Sequence, residues 1–263
     1  MAVEGIYKLD RRQLLTMLAA TGAGVLVGCQ ATGSNSSSTG TTSGTGTGTG
    51  GNAACVLTPE LTIGPYFVDE KLNRSDLTTN TDNPNVLNGV PLTLNIYIME
   101  YSSTGSCNAL QGAQVDIWHA DAAGVYSDES VEGTDGLTYL RGYQVTDANG
   151  LVIFKTIFPG WYSGRTVHIH VMIRTFYSSG TQTFEFTRQL FFDPSLTLQI
   201  IANAPYSTRG NPDTANATDN IYNSETLLGL TSASGGGYTT TITLGGVDVI
   251  CSVPMASTFR TER

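Results

Sequence analysis

Histidine is scarce in this chain. Only His119, His168 and His170 occur in 263 residues, no cysteine pair lies close to the last two, and no carboxylate stands at a familiar metal-ligand offset from them. The usual donor sets of zinc and ferrous sites, built from histidine, cysteine and carboxylate, are therefore missing. Basic residues are few as well: 13 Lys and Arg stand against 22 Asp and Glu, and the basic ones are scattered. That excludes the electrostatic footprint of a phosphate backbone, and nucleic acid with it. No long run follows the helical period and no internal repeat occurs, so the chain is not a helical bundle or a solenoid. What remains is an apolar fraction of 40%, enough for one sizeable core and a single main domain.

Residues 1–29 read as a leader. Arg11 and Arg12 precede the apolar run LLTMLAATGAGVLVG, which ends in LVGC at Leu26–Cys29. The dibasic pair is similar to a twin-arginine export signal, and LVGC is similar to a bacterial lipobox. Mature protein is then expected to begin at lipid-bearing Cys29, and its only membrane partner is the surface that holds this lipid. The alternatives are an ordinary cleaved signal, which would leave a secreted protein, or a short anchor, although the run is short for a spanning helix. Either way the chain is expected to be exported to the bacterial cell envelope. Residues 30–54 form a linker whose Gly/Ser/Thr stretch, Gly33 to Asn52, has nothing to bury and a reach of roughly 25 Å. Cys55, Cys107 and Cys251 then allow one disulfide and one free thiol, in any of three pairings.

From 55 to 253 short alternating segments are separated by Gly, Asn, Asp and Pro; a tail, 254–263, follows. In PLTLNIYIME, Leu92, Leu94, Ile96 and Ile98 share one face, as a half-buried strand requires. AQVDIW, GYQVTD, LVIFKTI, TVHIHVMIR, FEFTRQLFF and YTTTITL read the same way, and Asp147–Gly150 (DANG) is expected to close a hairpin. The pattern predicts an all-β fold, an antiparallel sandwich or barrel with long loops. Pro194 to Thr231 is expected to be an irregular polar excursion with one helical turn near Leu196–Ala202.

Strand periodicity puts His168 and His170 on one face, about 7 Å apart along the chain, and Val167, Ile169 and Val171 on the other. Two such imidazoles can share a metal ion or be two satisfied structural groups. Upstream of the pair lie tyrosines: Tyr126 and Tyr162 each follow a glycine-containing turn at a strand end, where a side chain can fold inward over a sheet. A phenol with a pKa of roughly 10 ionises at neutral pH only beside a strong cation. Hard anionic oxygens favour ferric over ferrous iron. His119, beside Trp118, reads as a packed histidine. Asp213 and Asp219 in NPDTANATDN fit no EF-hand spacing and read as a polar loop.

GPYF at Gly64–Phe67, VDIWHADAAGVYS at Val115–Ser127, LRGYQVTDANGLVIFKTIFPGWYSGR at Leu140–Arg165, VHIHV and then RQLFF at Arg188–Phe192 stand in a fixed order. In that order they resemble the intradiol ring-cleavage dioxygenases. The resemblance implies a prealbumin-like β-sandwich with one Fe(III) per chain, held by Tyr126, Tyr162, His168 and His170. It implies a small aromatic diol and O2 as substrates, with cleavage between the two hydroxyls to a muconate-type diacid. Arg165 would stand beside the ring, Gln189 would belong to the pocket, and Tyr162 would double as a leaving ligand; Tyr66 and Trp161 are expected to line the site. Only five residues separate Tyr162 from His168, fewer than in the cytoplasmic members, so a more open mouth is expected. The helical amino-terminal dimerisation region of the catechol enzymes is replaced here by leader and linker, and dimerisation by that route is not expected. The competing reading is an exported sandwich that binds a ligand without catalysis; it would not need to keep all four donors.

Overall fold

A computed structural model describes residues 60–101 and 106–248; the leader, the linker, Cys29, Cys55, Cys251 and the tail lie outside the described residues. After a single helical turn, α1 (Pro84–Leu87), the chain forms β1 (Pro91–Tyr101), β2 (Cys107–Ala109), β3 (Gln114–Trp118), β4 (Arg141–Val145), β5 (Leu151–Ile157), β6 (His168–Phe176) and β7 (Gln182–Phe192). Helix α2 (Pro194–Ile201) follows, then β8 (Leu227–Leu228), β9 (Thr231–Ser232) and β10 (Tyr238–Asp248). Cys107, which opens β2, is disulfide-bonded to a partner outside the described residues.

The strands build two five-stranded sheets. In one the order is β2-β1-β10-β9, with β5 also paired to β1; in the other it is β4-β3-β6-β7-β8. The alternation read in β1 is real: Leu92, Leu94, Ile96 and Ile98 are all buried. They meet Val115, Ile117, Ile169, Val171, Ile173 and Leu190 of the facing sheet in one core. Each such side chain contributes about 1.5–3 kcal/mol by leaving water. The architecture is the expected β-sandwich.

Three details differ from the sequence reading. Two ladders run parallel, β1 with β10 and β7 with β8, because side-chain alternation specifies a face and carries no strand direction. Asp147–Gly150 does not close a hairpin: β4 and β5, on either side of it, lie in different sheets. The Asp147 carboxylate accepts from the backbone N–H of Asn149 and of Leu151, which makes the turn a tight corner between the layers. Helix α2 starts two residues before the expected turn, since Asp193 caps it by accepting from Leu196 N and Pro194 occupies its first turn.

Strand β6 is buried on both faces. Its Ile169, Val171 and Ile173 face the sandwich core, while Met172 joins Trp118, Ala120 and Tyr126 in a second apolar cluster that also takes in Ile63, Tyr66, Phe67 and Tyr162. Loops between strands thus roof the outer face of the second sheet, and the histidine pair sits beneath that roof.

Candidate metal centre

Sheet register assembles the floor. His170 on β6 lies opposite Trp118 on β3 and Gln189 on β7, and His168 lies opposite Phe191. Residues opposed across a ladder project to the same side, so these side chains form one row. The Trp118 indole stacks flat on His170, with ring centroids 4.7 Å apart and planes 8° from parallel, which fixes the imidazole plane.

Tyr126 comes from the loop between β3 and β4, and Tyr162 from the link between β5 and β6. Two glycines let these loops touch. A Cβ on Gly124, whose φ is +81°, would lie 1.9 Å from Trp161 O, and one on Gly160 would lie 2.4 Å from Asp121 O. Any side chain at either position would push the two tyrosines apart. Gly64 does the same for the roof, approaching His170 so closely that a Cβ would meet its Cε1 at 3.0 Å. Behind Tyr66 that segment brings Phe67 onto Trp118, with centroids at 4.9 Å, and Asp69 into an ion pair with Arg174 at 3.1 Å.

Arg141 braces both the roof and the Tyr126 loop. Its buried guanidinium donates to Tyr66 O at 2.6 Å and to the hydroxyl and carbonyl oxygens of Ser127, next to Tyr126. Tyr66 in turn stacks on Tyr126 with centroids 4.4 Å apart and meets Tyr162 edge-on at 5.6 Å.

The four expected donors converge. His168 Nε2 is 3.1 Å from His170 Nε2 and accepts from the Tyr162 hydroxyl at 3.2 Å; the Tyr126 ring is 5.6 Å from that of Tyr162 and 6.3 Å from that of His170. His168 Nδ1–H donates to Thr166 O at 2.6 Å, so the proton sits on the far nitrogen and Nε2 keeps its lone pair. Burial, reinforced by Arg165, pulls the His168 pKa down to about 3; burial and then His168 itself hold His170 well below the usual range. Both imidazoles are neutral at pH 7. Burial pushes the Tyr126 phenol well above its ordinary value, and Tyr162 upward too, with Arg165 opposing. The Tyr126 hydroxyl, though influenced by Tyr162, makes no hydrogen bond of normal geometry.

This donor set fits a trivalent cation. Two nitrogens 3.1 Å apart subtend about a right angle at an ion roughly 2.1 Å from each. A buried phenol without a partner is poorly placed as a neutral group and well placed as an anion beside a cation. Among the described residues no cluster of three His, Cys, Asp or Glu side chains could hold a metal, which leaves the mixed phenol–imidazole group as the candidate.

The family model described as "Dioxygenase" matches residues 62–206, more than half of the chain. The chain belongs to this dioxygenase family. It is 32% identical to the dioxygenase domain of a dioxygenase–carbohydrate-binding fusion protein from Streptomyces sp. SirexAA-E, over 72% of this chain and 97% of that one, with a TM-score of 0.51. It is 29% identical to an intradiol ring-cleavage dioxygenase from Tetranychus urticae, over 73% of this chain and 94% of that one, with a TM-score of 0.61. The 3-chlorocatechol 1,2-dioxygenase of Rhodococcus opacus 1CP shares the fold at 23% identity, over 72% of this chain and 73% of that one, with a TM-score of 0.51. No curated protein sequence matches the chain.

In this dioxygenase the remaining expected residues are placed as follows. Arg165 donates through Nη2 to Gln189 Oε1, while Gln189 Nε2 donates to Thr62 O at 3.0 Å. Both ends of the amide are occupied, so Gln189 orients the arginine. Trp161, expected to line the site, packs instead against the sandwich core: its indole N–H donates to Gly210 O at 3.0 Å and Arg209 covers its ring at 4.8 Å. His119 is buried and bonded to Ala120 O and the Thr156 hydroxyl, a packed histidine as expected.

The polar excursion does more than its sequence suggested. Asp213 accepts from the Ser163 hydroxyl at 2.6 Å and Gly164 N at 3.1 Å, and Thr166 bonds to Asn216 at 2.6 Å. Asp219 Oδ2 accepts from Arg165 Nε and from Thr166 N, both at 2.9 Å. The five-residue link between Tyr162 and His168 is thus clamped along its length by residues some fifty positions away. All of them lie beyond the span that matches the family. No local motif marks them; the only signal was a run of Asx residues after the last conserved-type strand motif.

Proposed function

We propose that this dioxygenase cleaves a catechol-type ring between its two hydroxyls with O2, giving a muconate-type diacid that keeps both oxygen atoms. Tyr126, Tyr162, His168 and His170 would hold one Fe(III). The convergence of two neutral imidazoles with two phenols, one of them without a partner, carries this reading. It also counts against a non-catalytic binding module, which need not keep all four. Ferric iron held there would supply the Lewis acidity and electron exchange that a diol needs to react with O2.

The chain's own residues divide the remaining work. His168, its tautomer set by Thr166 O, and His170, stacked on Trp118, are rigid neutral donors. Tyr126 is buried to 2% exposure and braced by the Arg141-held loop, so it stays in place. Tyr162 is partly exposed, and as a tyrosinate its oxygen would take a proton from the incoming diol. Arg165, held by Gln189 and Asp219 on two edges, would offer its remaining N–H groups to negative charge that develops on the substrate; a hydrogen bond of that kind contributes about 1.5–3 kcal/mol.

Iron-loaded protein is expected to be red to burgundy from tyrosinate-to-iron charge transfer, and to consume O2 in the presence of catechols. His168→Ala should abolish uptake. A preparation that stays colourless with ferric salt defeats the reading. We further propose that the protein is exported and held at the cell envelope by a lipid on Cys29; the LVGC sequence after a dibasic apolar leader supports this.

A further inference from the structure

The excursion between β7 and β10 delivers one carboxylate into the site. The Asp219 side chain is 1% exposed and the Arg165 side chain 14%, so their ion pair is largely shielded from water. The carboxylate is also fully employed: Oδ2 receives Arg165 Nε and Thr166 N, and Oδ1 receives Ile221 N at 2.8 Å. Burial pushes its pKa up, but these donors together outweigh that and keep the group anionic.

Three guanidiniums stand near the site, and two of them are paired with carboxylates. Arg141 faces Glu129 at 3.7 Å and spends its donors on backbone and Ser127. Arg209, over Trp161, lies in the field of Asp213 and donates to Ala123 O at 3.0 Å. Arg165 is matched by Asp219. Arg141 and Arg165 each face a carboxylate, and Arg209 is engaged by the Trp161 ring and Ala123 O. A ring carboxylate entering here would lose its hydration without gaining an unpaired cation, and would feel Asp219 besides.

We infer that Asp219 is a positioning residue that fixes Arg165 and cancels its charge, so that the site selects uncharged ring diols over diols bearing a carboxylate. The inference rests on the ring-cleavage reading above and adds to it the substrate class. Arg165 remains a hydrogen-bond donor aimed at the ring oxygens, while its net attraction for a distant carboxylate is removed.

The test is an anaerobic optical titration of the iron-loaded full chain with catechol and with 3,4-dihydroxybenzoate, read from the shift of the visible band. Wild type should bind catechol more tightly. Asp219→Asn should move the affinity ratio toward the benzoate by about tenfold, the scale of one buried charge removed within several ångströms, and Asp219→Glu should restore it. With catechol alone, Asp219→Asn should lower kcat more than it raises KM, since Arg165 loses its alignment and the diol keeps its metal contacts. Iron stoichiometry and melting curves report whether the variant holds its fold. Wild-type protein that binds the benzoate as tightly as catechol overturns the inference whatever the variants do. A normal visible band with an unchanged ratio in Asp219→Asn also overturns it and leaves the ring-cleavage reading standing. Absence of the band in iron-loaded wild type removes both.

Discussion

Removing the Tyr126 hydroxyl should change stability in opposite directions with and without iron. The residue is 2% exposed and its hydroxyl has no hydrogen-bond partner, so the metal-free protein carries the desolvation penalty of a buried unsatisfied group, about 1–3 kcal/mol. Tyr126→Phe deletes that group while keeping the ring that stacks on Tyr66 at 4.4 Å. For a folded region of this size 1 kcal/mol corresponds to about 2–4 °C, so the chelated variant should melt higher by several degrees. With iron present the order should reverse. The variant lacks an anionic donor, binds the ion more weakly and loses most of the stabilisation that ligand binding confers by mass action. Melting curves of chelator-treated and iron-loaded protein, with the visible band followed in parallel, measure both limbs. A chelated variant less stable than wild type would mean that the hydroxyl is satisfied within the protein and is not held in reserve for a cation.

Two further outcomes follow, one from the buried histidines and one from the leader sequence. Burial keeps His119 neutral down to about pH 4 and His168 to about pH 3, with His170 also shifted well down, whereas the unfolded chain takes up these protons near the ordinary histidine value. Because the unfolded state binds more protons below about pH 6.5, stability of the metal-free protein should fall as pH drops from there, by about 1.4 kcal/mol per unit for each buried histidine. Denaturant unfolding from pH 6.5 to 4.5 checks this; His119→Gln should remove its share of the slope, and a flat profile would show that the imidazoles are not buried as neutral groups. For the anchor, Cys29→Ala should move the protein from the detergent-extracted membrane fraction to the soluble one, and wild-type protein already free of membranes would end the lipoprotein proposal.

Much of the site was legible before any fold was known. The H-x-H spacing placed two imidazoles on one strand face because side chains alternate at period two, and Leu92, Leu94, Ile96 and Ile98 followed the same rule into the core. Tyr126 and Tyr162 stood out after glycine-containing turns, but their grouping with the histidines was readable only through an ordered series of motifs, since neither has a local spacing to the pair.

What the amino-acid order determined alone is local: which face a strand side chain takes, that a helical turn lies soon after Pro194, and which loops carry glycines that tolerate close approach. Tertiary structure decided which face of β6 lies against the other sheet, that β1 and β10 run parallel, that β4 and β5 part at Asp147–Gly150, and that Asp219 closes on Arg165. These outcomes depend on the burial of whole surfaces and on charge pairs between residues some fifty positions apart. Such energies exist only once distant segments have been brought together, so no short stretch of sequence contains them.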